Sequence, residues 1–201
     1  VNDGSTDGTG LVVERFIPVT RLVVSSLEHS QNRGYGAAQK TGLNMSLSDG
    51  NDYHVILHAD GQYAPEELPD VIAPLLAGSA DVVIGSKFVK GRVLRQGMPL
   101  SRMMGILLID RIENVVYGLR GLEFHSGYMA YSTAALRSVL FRSLTDGFHF
   151  DGEMVLASAR AGLRIQRVPI STCYGDSVSG LKVLPYLGEV VWSILRNVRR
   201  K

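Results

Sequence analysis

The sequence predicts an α/β domain built on a mostly parallel sheet with helices on both faces. Three observations carry this. Short β-branched runs alternate with segments of helical period. Proline and acidic residues stand where helices would begin. The 201 residues suit one ordinary domain. Val19 to Ser25 (VTRLVVS), Tyr53 to His58 (YHVILH) and Asp81 to Gly85 (DVVIG) read as buried strands, being short, apolar and rich in Val and Ile. Between them, Thr9–Phe16, Tyr35–Leu47 and Pro65–Ala77 read as helices; Pro65 suits a first helical position, and Glu66 and Glu67 suit the positive end of the dipole. This spacing implies crossover units.

After Gly85 the rhythm changes. Ser86 to Pro99 is loop-like and basic, with Lys87, Lys90, Arg92 and Arg95. Leu100 to Leu119 reads as a long helix, apolar almost all round, which places it in a core or against a partner or lipid surface. Tyr128–Ser132 suits a short strand, and Thr133–Leu140 and Asp151–Ala161 suit helices. Leu163–Ile170 alternates like a strand, with Pro169 pointing to a sheet edge or a strand end. Residues 181–201 form a candidate amphipathic helix. Its stripe is Leu184, Leu187, Val191, Ile194, Leu195 and Val198, and its basic end is Arg196, Arg199, Arg200 and Lys201. The expected organisation is a domain over 1–180 and this basic helix over 181–201.

Composition bounds the function. Apolar residues are 45% and charged residues 20%, which excludes general disorder. Lys+Arg 21 against Asp+Glu 19 is too even to argue for nucleic acid as a partner. A single cysteine, Cys173, excludes an internal disulfide and a Cys-cluster zinc site, and fits a reducing compartment. There is no secretory pattern at the start, and the most apolar stretch, Leu181 to Leu195, is interrupted by Lys182, Pro185 and Glu189. The chain starts without Met, directly in a turn-rich motif, from which a missing preceding segment is expected.

Ligands of open α/β sheets sit beyond the carboxyl ends of the strands. The acidic turns to inspect are therefore Asn2 to Thr9 (NDGSTDGT) and His58 to Gln62 (HADGQ). Asp and Gly also make ordinary turns and caps, so Asp3 and Asp7 alone do not argue for a site. Two acidic turns at two strand ends suit a polar ligand and a hard cation, magnesium or manganese, which takes carboxylate and phosphate oxygens. Gly8-Thr9-Gly10 and Gly34-Tyr35-Gly36 lack the third glycine of a dinucleotide fingerprint, and there is no Walker lysine motif.

The ordered series VNDGSTDGT, NRGYGAAQKTGL, HADGQY, IGSKF, HSGYMAYS and FHFDGEMVLASARAGLRIQRVPI resembles the family-2 glycosyltransferases, and among them the polyprenyl-phosphate sugar transferases. It covers nearly the whole chain. The resemblance implies a GT-A fold, a Rossmann-like nucleotide-sugar domain, and sugar transfer with inversion. It implies that Asp3 contacts the nucleotide, that Asp60 is the last acid of a DxD signature, and that Gln62 lies with it at the metal and diphosphate. Lys87 and Arg102 stand as basic residues near the diphosphate. Asp151 and Glu153 fall in the motif that supplies an acceptor-side carboxylate, with Asp151 the first choice of base. Acids at a helix start also serve as caps, which is the plain alternative for this pair. Ser126 and Gly127 are expected to make a tight turn beside the acceptor, or simply a turn leading into a strand.

His58 departs from the pattern, because it replaces the first acid of DxD. A neutral imidazole can bind manganese and suits magnesium poorly. His58 can instead act through a water, hold Asp60 from behind, or merely end a buried strand. Asn2 replaces another acid. The implied function is transfer from a nucleoside-diphosphate sugar donor to a polyprenyl-phosphate or other lipid-phosphate or glycan acceptor. The implied place is the cytoplasmic face of a membrane. A non-catalytic nucleotide-binding module is the alternative, and a nucleotidyltransferase a weaker third.

Overall fold

The computed structural model describes residues 1–88, 97–173 and 183–198. Lys90, Arg92, Arg95, Leu181, Lys182, Arg199, Arg200 and Lys201 lie outside them, as does the side chain of Leu184. In chain order the elements are α1 (Thr9–Phe16), α2 (Tyr35–Ser48), β1 (Tyr53–Ile56), α3 (Leu68–Leu76), β2 (Val82–Ser86), α4 (Leu100–Tyr117), β3 (Met129–Ser132), α5 (Thr133–Ser138), α6 (Phe150–Arg160), β4 (Ile165–Pro169) and α7 (Val183–Val198). Pro65 opens a short 3₁₀ turn that feeds α3, and Gly118 ends α4 in the left-handed conformation.

The four strands form one sheet in the order β1-β3-β2-β4. β2 and β4 are parallel, whereas β3 runs antiparallel to both β1 and β2. Three strands thus share a direction and β3 opposes them, so the sheet expected to be mostly parallel is mixed. β4 is at the edge, as Pro169 predicts.

Strand periodicity separates two cores. Val82 and Ile84 of β2 and Met129 and Tyr131 of β3 face a cluster with Leu43, Leu136, Phe150 and Met154, contributed by α2, α5 and α6. Val83 and Ala130 face the other side, where Val71 and Leu75 of α3 cover them. All five residues of β2 are buried, as a sheet covered on both faces requires. β1 buries a polar residue, His54, whose ring nitrogens meet Ser46 Oγ at 2.7 Å and Thr133 Oγ1 at 2.8 Å; burial lowers its pKa.

Two expectations need correction, those for Val19–Ser25 and for α7, and α4 takes the outward-facing one of its two expected arrangements. Val19–Ser25 is not a buried strand. Val23 is fully exposed, as are most of Val19 and Leu22, and the segment beyond it gains only an isolated bridge, Asn2 to Glu28. A strand needs a neighbour to complete its ladder, and among the described residues this one has none. α4 turns its polar face inward: Asp110, Glu113 and Tyr117 are buried, while Met104, Leu107, Leu108, Ile112 and Val115 are exposed. α7 is rotated relative to the expected stripe. Val190, Ser193 and Asn197 are buried, and Val191, Trp192, Leu195 and Val198 face outward. The reason is polar: Asn197 Oδ1 accepts from Arg160 at 3.0 Å, and Ser193 Oγ donates to Glu153 at 3.0 Å, which fixes the helix by hydrogen bonds.

Candidate active site

The carboxyl ends of β1 and β2 and the start of β3 lie at one end of the sheet, and most of the sequence-predicted residues gather there. The turn at Asp3 is joined to the start of α2. Asp3 accepts backbone N–H bonds from Arg33 and Gly34, both at 2.9 Å, and meets His29 Nδ1 at 2.6 Å. Partial burial works against the ionised carboxylate, but these three bonds together hold it below its usual pKa. Asp3 therefore sets the shape of the Arg33–Gly34 turn. Asn2 stabilises its own turn through Ser5 N–H and reaches Glu28.

Tyr35 follows that turn, and sequence reasoning missed its part. Its hydroxyl donates to Asp151 Oδ2 at 2.6 Å and lies 2.5 Å from His58 Nε2. Since the hydroxyl proton is committed to Asp151, the imidazole Nε2–H must donate to the hydroxyl oxygen. Gln39 Nε2 donates to Asp151 Oδ1 at 2.9 Å, and Phe148 stacks on the Tyr35 ring. Asp151 is buried at the first turn of α6. Burial raises its pKa, against the opposing pull of Tyr35, His58 and Gln39. The signal in the sequence was the aromatic inside NRGYGAAQ, one turn ahead of Gln39 on the same helix.

His58 and Gly127 explain one another. A Cβ on Gly127 would overlap the His58 ring, so only glycine lets the imidazole lie against this backbone. Gly127 N–H donates to Tyr63 at 3.2 Å, and buried Ser126 donates its hydroxyl to Gly85 O at 2.5 Å. These two residues seat the turn before β3 on the end of β2. Asp60 is exposed, and its Oδ1 accepts Gln62 N–H at 3.0 Å; Gln62 O accepts Cys173 N–H at 2.9 Å.

Lys87 caps the end of β2 and is buried. Its ammonium donates to His125 O at 3.3 Å. Burial, with Arg102 close enough to add repulsion, lowers its pKa to about 8, although Glu123 and Asp110 pull the other way. Lys87 thus lies in the field of one further cation, Arg102, and of two carboxylates, Glu123 and Asp110. Glu153 is not brought to this group. Its oxygens bind Arg196 at 2.6 Å, Ser193 at 3.0 Å and Thr145 N–H at 2.8 Å, and so it fastens α7 to α6. The helical period explains the divergence: residues two apart on a helix point to different faces.

A hard divalent cation fits Asp60, an exposed carboxylate with no ion pair among the described residues. It fits His58 less well, since Nε2 is taken by Tyr35 and only Nδ1 is left to ligate.

Known proteins share this fold. The chain resembles the fold of glucosyl-3-phosphoglycerate synthase from Mycobacterium tuberculosis in complex with uridine-diphosphate. The TM-score is 0.59 at 22% identity, covering 97% of this chain and 66% of that one. The architecture is thus the α/β GT-A fold of glycosyltransferases. The family profile described as Glycosyl transferase family 2 matches residues 1–140, and the chain belongs to that family. Its relatives include undecaprenyl-phosphate mannosyltransferase of Micrococcus luteus, 32% identical over 201 residues, covering 98% of this chain and 79% of the relative. Another is UDP-N-acetylglucosamine--dolichyl-phosphate N-acetylglucosaminyltransferase of Methanococcus voltae, 29% identical over 187 residues, covering 88% and 74%. The chain spans about three quarters of these two relatives and just under two thirds of the solved structure.

Proposed function

We propose that the protein transfers a sugar, with inversion, from a nucleoside-diphosphate sugar to a polyprenyl phosphate or another membrane-associated acceptor. The observation that carries this reading is the gathering of three groups at one sheet end: the Asp60 turn, the Lys87–Arg102 cation pair, and the buried Asp151 held by Tyr35 and Gln39. The two relatives bear names of lipid-phosphate transferases, which supports the acceptor class.

As the sugar leaves, negative charge grows on the diphosphate. Lys87 and Arg102 are placed to stabilise it, the effect being strong because Lys87 is shielded from water. Asp60, with Gln62 beside it, would hold a magnesium or manganese ion, and such an ion supplies further charge neutralisation when bound. Asp3 acts indirectly, by fixing the Arg33–Gly34 turn that bounds the nucleotide side. A lipid phosphate is already anionic and needs no base, so Asp151 then orients the acceptor. A sugar hydroxyl must lose a proton, and Asp151, its pKa raised by burial, is suited to take it. Ser126 and Gly127 support the acceptor side from below by seating His58.

The membrane part of the proposal rests on α4 and α7, which pack together and expose Leu107, Leu108, Ile112, Trp192 and Leu195. No helix among the described residues is long and apolar enough to cross a membrane. The exposed apolar residues of α4 and α7 support a domain that rests on a membrane, which the proposal puts at the cytoplasmic side. A donor screen with manganese or magnesium and detergent-dispersed polyprenyl phosphate tests it, with diphosphate release as the readout. Turnover is expected with one nucleotide sugar and should be lost in Asp60→Asn.

The engagement of His58 Nε2 by Tyr35 favours a second reading, a module that binds the nucleotide without catalysis, because it leaves Asp60 as a lone carboxylate. Calorimetric binding of a nucleoside diphosphate with no turnover for any donor would select it.

A further inference from the structure

Away from the Asp60 turn, the inward face of α4 meets the turn before β3 and the start of α6 in a buried group of acids and imidazoles. His125 Nε2 lies 2.9 Å from Glu113 Oε2 and 3.6 Å from Asp110 Oδ1, and His149 Nε2 lies 3.2 Å from Glu113 Oε1. Glu113 is fully buried, and the side chains of Asp110 and His125 are only 8% and 6% exposed. From the geometry we infer that Asp110, Glu113 and His125, with His149 adjoining, form a second divalent-cation site that ties α4 to the turn beneath Lys87, the ion being of the zinc or manganese class.

Three observations support this. First, both oxygens of Glu113, Asp110 Oδ2 and His125 Nε2 are buried without a hydrogen bond, although His125 Nε2 and Glu113 Oε2 are at hydrogen-bond distance. The separation is short, but the ring N–H direction misses the oxygen, as for two ligands aimed at a common point between them. Tetrahedral ligands about 2.1 Å from a metal stand roughly 3.4 Å apart, a value that the 2.9 Å and 3.6 Å separations bracket. Second, charge must balance. Two buried carboxylates are compensated by taking up protons, by imidazolium rings, which burial disfavours, or by one divalent ion, which leaves both carboxylates ionised and both rings neutral. An imidazole among carboxylates suits zinc or manganese better than magnesium or calcium. Third, the outer partners are in place. His125 Nδ1 is paired with the Tyr186 hydroxyl of α7, which leaves Nε2 as the ligating nitrogen. Asp110 also borders a cleft of about 410 Å³, shared with Arg111, Asn114, Glu123 and Arg167.

That an ion binds here does not depend on the proposed transfer reaction being correct. It would set the position of His125, whose carbonyl accepts the Lys87 ammonium, and so the height of the donor floor.

The test uses the whole chain, stripped with chelator and dialysed against zinc or manganese with no nucleotide present, and elemental analysis of what remains bound. One ion per chain is expected in the wild type and in Asp60→Asn. Affinity should fall at least 100-fold in Glu113→Gln and in His125→Gln. At 100 times its dissociation constant the ion should raise the wild-type Tm by about 5–10 °C. Cobalt loading of the wild type should give the intense visible bands of a tetrahedral site, a readout that holds even where a variant fails to fold. A wild type that retains no ion overturns the inference, as does an ion that follows Asp60 while surviving Glu113→Gln.

Discussion

Replacing Lys87 by Met isolates the tension at the end of β2. The lysine is buried, and burial together with Arg102 lowers its pKa from 10.5 to about 8. At about 1.4 kcal/mol per pKa unit, keeping it charged at pH 7 costs the fold about 3 kcal/mol. The sign follows from linkage. The folded pKa lies below the unfolded one, so the ionised lysine opposes folding in full below pH 8, and the penalty fades as pH rises from about 8 to 10.5. Lys87→Met removes the penalty and also the bond to His125 O, worth about 1 kcal/mol. The net gain is about 2 kcal/mol at pH 7, or roughly 4–8 °C in Tm for a chain of this size. The assay is thermal unfolding at pH 7 and again near pH 10.5, where the gain should disappear, beside calorimetry of nucleoside-diphosphate binding at pH 7, which should weaken by 10-fold or more. A variant equal to or less stable than wild type at pH 7 would refute the burial argument, and unchanged diphosphate affinity would refute the donor role.

Other residues make separate predictions. Asp151→Asn should lower turnover by roughly 100- to 10,000-fold with a hydroxyl acceptor and far less with a lipid phosphate, read as initial rates on both substrates. Tyr35→Phe deletes the hydroxyl between His58 and Asp151, and should shift the pH–rate profile without abolishing turnover. Gly127→Ala forces a methyl into the His58 ring and should cost about 1–3 kcal/mol in denaturant unfolding, with loss of activity. Leu108→Ser with Trp192→Ser, on the outward faces of α4 and α7, should leave Tm unchanged and weaken binding to anionic lipid vesicles.

Much of the helical framework was legible because it follows local rules. Pro65 marks the turn that feeds α3, and the expected bounds of α2, α4 and α6 fall within a few residues of those observed. The family motifs, read in order, led to the fold. What the sequence hides is orientation. Nothing local says that α4 turns Asp110 and Glu113 inward and its leucines outward, because the imidazoles that receive them come from residues 125 and 149. The same holds for Glu153, which sequence places beside Asp151 and the fold aims at Arg196. The direction of β3 depends on long-range pairing that a run of five residues cannot encode. Tyr35 was visible only as a helix residue, since its partners lie 23 and 116 positions away.

The most direct measurement of the central claim is diphosphate release from a nucleotide sugar by wild type and Asp60→Asn at matched folding, with manganese present. The account predicts turnover in the first and at most about one hundredth of it in the second. Equal rates in the two proteins would contradict it.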